Sequence, residues 1–235
     1  MKKQKLFLSH FTKGELILWS ASVSLILLSF ILFEGQSYLT MVSSLLAVTS
    51  LIYVAKGDPI GQILLIFFVI FYAMISLSYR YYGEAITYLF MSLPMTILAL
   101  VSWFRNTVKG NKRQVKIGRV GRKEVALLFV MALLVTVAFY FILGALNTAN
   151  LLVSTFSVTT SFIAAYLTYR RSPFYALAYA FNDIVLIVLW TLATIDDIKY
   201  LSVVICFVAF LANDLYGFIN WRRMERKQSE MQKSK

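Results

Sequence analysis

Long apolar runs alternate with short polar breaks along this chain. Each run lasts about 20 residues, the length a helix needs to cross roughly 30 Å of hydrocarbon. Eight runs are read, at about 16–33, 37–55, 60–79, 83–103, 124–143, 151–168, 174–194 and 198–219. The breaks before the third and seventh runs carry Asp58-Pro59 and Ser172-Pro173. Proline suits a helix's first turn, where its missing N–H is not needed. Pro94 falls inside the fourth run instead. There it predicts a kink that frees a carbonyl; simple tolerance of proline in a membrane helix is the alternative.

Charge orients these runs. If they cross in alternation, all but Arg80 and Lys199 of the 23 Lys and Arg residues fall on one side. Lys2, Lys3, Lys5 and Lys13 precede the first run, and Lys56 follows the second. The stretch from Arg105 to Lys123 follows the fourth, Arg170 and Arg171 follow the sixth, and Arg222 to Lys235 follow the eighth. Glu34, Glu84, Asp196 and Asp197 share the other side. Basic breaks stay cytoplasmic, so both termini are expected inside. An odd number of spans would scramble this order.

Composition narrows the classes further. A chain 60% hydrophobic, with mean hydropathy +0.74, is not a soluble domain. The net charge of +12 reads as topology signal and attraction to anionic lipid. No nucleic acid is expected as a partner, because 105–123 offers no aromatic beyond Phe104 at its edge to stack on bases. Cys206 is the single cysteine, which rules out an intrachain disulfide. The first run lacks a small-residue cleavage site, so it reads as a span and not a signal. No Gly-x-Ser-x-Gly elbow, His-Glu-x-x-His site or Cys-His pair occurs in the runs, so no enzyme, metal or cofactor is expected. No mid-span lysine could form a Schiff base, which disfavours a retinal-type sensor.

An internal repeat is visible. VSSLLAVTS at 42–50 resembles VSTFSVTTS at 153–161. The two proline breaks follow in the same order. The fourth and eighth runs then end alike, in Ser102-Trp103-Phe104-Arg105 and Asn220-Trp221-Arg222. Spans two to four are thus expected to recur as spans six to eight, with span five restoring the orientation. Parallel repeats of this kind build SWEET-type transporters. The expected fold is an all-α integral membrane protein of eight helices, a SWEET-like 3+1+3 repeat plus one extra N-terminal helix. Its divisions are 1–36 (tail and extra helix), 37–104 (first bundle), 105–150 (basic loop and linker helix), 151–221 (second bundle) and 222–235 (charged cytoplasmic tail).

Polar groups in hydrocarbon need a partner or a cavity. Asn182-Asp183 lies in the seventh run and Asn213-Asp214 in the eighth. At 1.5 Å per residue both pairs fall roughly 10–12 Å above the cytoplasmic boundary. One polar chamber lined by both pairs is the functional reading; hydrogen bonds that hold the two spans together are the alternative. A proton relay wants a chain of titratable groups, and His10, the single histidine, precedes the first run. Tyr175, Tyr179 and Asn182 share a helix face with Trp190 nearby, and Tyr216 shares one with Asn213. Gln62 and Tyr72 are the candidates from the first repeat. Such a set suits a flat aromatic ligand with hydroxyls, and equally a polar helix interface; Trp190 could be an interface-belt residue.

These residues resemble the PnuC family, the bacterial nicotinamide riboside transporters. The matching stretches are Ala55-Lys56-Gly57, Tyr82-Gly83-Glu84, Leu93-Pro94-Met95 with Trp103, and NDLYGFINW at 213–221. The resemblance implies a site between two three-helix bundles, with Asn213 and Tyr216 at matching positions. It implies facilitated diffusion by alternating access, trapping of the substrate by phosphorylation, a homo-oligomer expected as a trimer, and residence in the bacterial cell membrane. One departure stands out. Many members carry Glu-Gln-Trp-x-x-Trp at the entry to span seven, where this chain has PFYALA at 173–178. That alters the aromatic clamp, so thiamine, riboflavin or a nucleoside remains an alternative substrate.

Overall fold

The computed structural model describes residues 11–32, 38–78, 82–195 and 197–233. Lys2, Lys3, Lys5, His10, Glu34, Arg80, Asp196 and Lys235 of the charge argument lie outside them. Eight described helices are long and apolar enough to span a membrane. They are α1 (Lys13–Leu32), α2 (Tyr38–Ala55), α3 (Ile60–Ser78), α4 (Tyr82–Arg105), α5 (Arg122–Ala145), α6 (Leu151–Tyr169), α7 (Phe174–Ala193) and α8 (Leu201–Lys233). Each run read from hydropathy is one of them. A helix satisfies its own backbone, which hydrocarbon demands. The charged tail does not end α8, which continues to Lys233.

Six helices close a ring. Helix α2 packs on α3, α3 on α4, α4 on α6, α6 on α7, α7 on α8, and α8 back on α2. Helix α1 packs outside this ring on α2 and α8, and α5 packs on α6. A hydroxyl pair, Thr136 and Thr159 at 2.6 Å, joins α5 to α6. Glu124 at the start of α5 accepts from Tyr166 Oη and Arg170, each at 2.9 Å.

The ring is locked at its basic end by two matching sets of hydrogen bonds. Ser102 Oγ and Trp103 Nε1, ending α4, donate to the Tyr169 and Thr168 carbonyls that end α6, at 2.8 and 2.9 Å. Asn220 Nδ2 and Trp221 Nε1 of α8 donate to the Ala55 and Val54 carbonyls that end α2, at 2.8 and 2.9 Å. The last carbonyls of a helix have no partner within it. Here two side chains from a different helix supply the donors each time. The two indoles meet with centroids 5.3 Å apart, and both are fully buried.

The turns below these carbonyls also match. Gly57 and Arg171 both take positive φ, +69° and +57°. Burial pushes the Arg171 guanidinium below its ordinary pKa, and the neighbouring Arg170 charge adds to this. Asp58 then caps α3, its carboxylate accepting the Ile60 N–H at 3.0 Å.

The basic stretch after α4 is not the plain loop its composition predicts. Strands β1 (Thr107–Val108) and β2 (Asn111–Val115) form a hairpin. The end of β2 and the segment after it strap the two turns together: Val115 N–H donates to the Gly57 carbonyl and Gly118 N–H to that of Arg171, both at 2.9 Å. Gln228 of α8 completes the strap, its Oε1 accepting the Ile117 N–H at 2.9 Å while its Nε2 donates to the Val115 carbonyl at 3.1 Å. Val115 is buried against Trp103, Tyr175 and Trp221. Only glycine fits at 118, where a Cβ would stand 2.1 Å from the Arg170 carbonyl.

Helix α1 is docked by polar contacts. Glu15, 2% exposed, accepts from Lys56 Nζ at 2.9 Å, Tyr216 Oη at 2.9 Å and the Thr12 N–H at 2.7 Å. Asn213 Nδ2 donates to Ser22 Oγ at 2.9 Å, and Trp19 Nε1 to Thr49 Oγ1 at 3.2 Å.

Two outcomes are expected. Trp221→Phe removes the indole donor from the Val54 carbonyl, which keeps the Gly57 N–H. The cost is that of one hydrogen bond, about 0.5–1.5 kcal/mol; a melting temperature in detergent equal to that of the parent protein would refute the lock. Tyr216→Phe removes one donor from Glu15. It is expected to lower the melting temperature modestly while ligand affinity, measured by calorimetry, holds within about two-fold.

Candidate functional site

The ring encloses a cavity of about 110 Å³, separated from Trp221 by Tyr175. Helix α7 supplies Tyr175, Tyr179, Asn182 and Asp183; α8 supplies Asp214; α3 supplies Gln62; α4 supplies Tyr88. Tyr175, Tyr179 and Asn182 fall at helical spacing on one face, as their positions predict. Tyr175 closes the floor, its ring 4.7 Å from that of Trp221 and its hydroxyl 3.4 Å from the Val54 carbonyl.

The polar groups are held from behind. Asn182 Oδ1 accepts from Thr160 Oγ1 at 2.6 Å and from Ser161 Oγ at 3.0 Å. The partner helix is α6, not α8, and the amide keeps its N–H donors to offer. The carboxyls of Asp183 and Asp214 meet between α7 and α8. Two buried atoms at the cavity make no hydrogen bond to a described donor or acceptor in their ordinary charge states: Gln62 Nε2, a donor, and Asp183 Oδ2, whose carboxyl can share one proton with that of Asp214. Their side chains are 1% and 4% exposed. A buried polar group without a partner is costly, so each points to a ligand atom.

Pro94 acts on this wall. The turn before it widens into a π-helix at Tyr88–Ser92, with the Leu93 N–H donating to the Tyr88 carbonyl. Single π turns recur at functional sites because they re-aim a side chain. Tyr88 sits at its start and stacks on Tyr72, with centroids 4.3 Å apart. Sequence reasoning missed Tyr88; the proline six residues later was its only trace.

The predicted residues therefore divide. Gln62, Tyr175, Asn182 and Asp183 come together at this cavity, and Tyr179 and Asp214 join them. Tyr72 and Trp190 line a second cavity of about 110 Å³ nearer the opposite end. Asn213 and Tyr216 lie at neither, since their side chains turn to Ser22 and Glu15 of α1. Glu15 was not anticipated, because an acid at a span's edge looks like any boundary residue.

Comparison with known proteins agrees with this architecture. Residues 37–223 match a family model described as nicotinamide mononucleotide transporter. The nicotinamide riboside transporter PnuC of Neisseria mucosa is 22% identical over 201 residues, spanning 84% of this chain and 76% of that protein. The crystal structure of the vitamin B3 transporter PnuC shares the fold with a TM-score of 0.79 at 21% identity, covering 92% of this chain and 94% of that one. The family match runs from the start of α2 into α8, the whole ring with its cavity, and the chain belongs to this family of PnuC transporters in the membrane.

Proposed function

We propose that the chain carries nicotinamide riboside across the membrane through the inner cavity. One observation carries this reading. The cavity is lined by Asp183 and Asp214, and no Lys, Arg or His is among its described lining residues. Nicotinamide riboside is a pyridinium cation with a carboxamide and two-faced sugar hydroxyls. Carboxyls that meet cannot both ionise, so the Asp183–Asp214 pair carries at most one negative charge, which suits a single cation. The rings of Tyr88, Tyr175 and Tyr179 suit a flat cation by cation–π attraction. The carboxamide both donates and accepts, the complement of Asp183 Oδ2 and Gln62 Nε2. A mononucleotide would bring phosphate to two acids with no basic partner, so the riboside is the better fit of the two.

The finer parts of the reading rest on the same chemistry. Transport is facilitated diffusion by alternating access, with the Trp103–Trp221–Tyr175 floor as the inner closure. Phosphorylation inside traps the product, because the cavity's described lining offers the added charge no Lys, Arg or His. The basic end is cytoplasmic, following the positive-inside rule. The two bundles 37–104 and 151–221 are parallel repeats; the matched indole–carbonyl bonds and matched turns support this. The face of α5, where Leu127, Phe129, Leu133 and Phe141 are exposed, meets lipid or a second copy, and the assembly is a trimer. The chain performs no chemistry on its substrate.

The test is radiolabelled nicotinamide riboside in vesicles holding pure protein and no ion gradient. Equilibration to the outside concentration, indifferent to an ionophore, is the expected result. Excess unlabelled nicotinamide riboside should block it and nicotinamide mononucleotide should not. Block by thiamine or riboflavin alone would assign a different vitamin. Asp183→Asn removes a charge-assisted contact of about 1.5–3 kcal/mol, so binding should weaken roughly ten- to hundred-fold. Unchanged affinity in that variant would remove Asp183 from the site.

A further inference from the structure

We propose that the second cavity is an outer capture site for the same cationic, sugar-bearing aromatic ligand, a step before the inner cavity; this deepens the transport reading and rests on it. The two cavities are of equal volume, about 110 Å³ each. They abut, because Phe68, Phe207 and Phe210 line both. These three rings form the partition, with Phe207 and Phe210 edge to face at 5.6 Å and Phe68 tilted on Tyr72 at 5.6 Å.

The outer walls are built for a ring with hydroxyls. Trp190 and Tyr200 offer paired aromatic surface, 5.5 Å between centroids. Ser29, Ser43, Ser76 and Ser202 arrive from α1, α2, α3 and α8, each at most 4% exposed. Serines often serve only to let helices approach closely. Here they surround an open volume instead. Ser43 Oγ, on a side chain 2% exposed, makes no hydrogen bond with a described residue. It is a buried hydroxyl at the cavity wall with its bonding capacity unused. Helix α1, which precedes the family match at 37–223, contributes Ile26, Ser29 and Phe30 to this wall.

Charge gives the two sites an order. No Asp, Glu, Lys, Arg or His is among the described residues lining the outer cavity, whereas the inner one holds two acids. A cation is held outside by stacking without a charged group, and inside by stacking plus the Asp183–Asp214 pair, which carries at most one negative charge. The outer site is therefore the weaker, and passage of the phenylalanine partition is downhill.

Cys206 makes this measurable. It lines the outer cavity, its Sγ 3.7 Å from Ser44 Oγ, and it is the only cysteine of the chain. The experiment follows alkylation of Cys206 by N-ethylmaleimide in the full-length protein in vesicles, read by intact mass, with and without nicotinamide riboside. Ligand at about ten times the outer-site Kd should slow labelling about ten-fold by mass action. The double variant Asn182→Ala, Asp183→Asn, impaired at the inner cavity, should keep that protection. Protection lost in the double variant, or absent in the parent protein, overturns the outer site. So does a Cys206 that the small maleimide never reaches. Equilibration of labelled nicotinamide riboside is measured on the same vesicles. Transport without protection sinks the outer site alone, whereas absence of both sinks the substrate reading with it.

Discussion

The molecule depends on what becomes of four helix-end carbonyls at its basic end. A helix leaves its last C=O groups short of donors; the turns return one N–H each to Val54 and Thr168, from Gly57 and Arg171. Helices α2 and α6 both stop at a tight turn with a positive-φ residue, Gly57 and Arg171, so neither can run on into water. Their final carbonyls are instead capped by Asn220 and Trp221 of α8 and by Ser102 and Trp103 of α4. The cap on each comes from the neighbouring helix in the ring, one distant in sequence. Closing the ring and satisfying the backbone are thus one event, and the paired indoles back Tyr175, which floors the cavity. The strap through Val115 and Gly118 then binds the two turns to each other from below.

The two sets of matching turns and caps frame the cavity, and the positions they relate differ in polarity. Aligning Pro59 with Pro173 sets Phe68 and Val69 opposite Asn182 and Asp183; aligning Trp103 with Trp221 sets Thr96 opposite Asp214. All six line the inner cavity. Equivalent positions converge on one space, but one half presents acids and an amide while the other presents hydrocarbon and a hydroxyl. An asymmetric ligand with a charged, polar edge and a flat apolar face needs such an arrangement.

Much of this was legible in the chain. Hydropathy gave eight spans because a membrane leaves the backbone no other solution, and the turns at Pro59 and Pro173 marked their own places. The Asn-Asp layer was visible too, but not its facing. Asn213 and Asp214 are adjacent, so about 100° of helix separates them, and only one can point into the ring. The reading that grouped Tyr216 with Asn213 was right about the shared face. That face meets α1, whose polar residues gave no sign of a partner across the sequence. The hairpin was hidden as well. Asn111–Val115 reads NKRQV, with no apolar alternation, and it is placed by backbone bonds to Gly57 and Arg171 that composition does not encode.

Helix α1 looks like an addition outside the ring, yet it holds the point on which the ring closes. Glu15 receives Lys56 and Tyr216 together. Lys56 directly precedes the Gly57 turn and follows the Val54 and Ala55 carbonyls; Tyr216 stands one turn before Asn220 and Trp221, which cap them. One carboxylate therefore gathers both sides of the α2–α8 seam. A buried acid that lost either partner would be left with uncompensated charge, which disfavours the seam's opening. The corresponding α4–α6 seam is held differently, by Arg171 Nη1 donating to Ser102 Oγ at 2.8 Å. The two seams thus share their indole–carbonyl caps and differ in the charge that secures them. The closure is symmetric in its hydrogen bonds but not in its ion pairs.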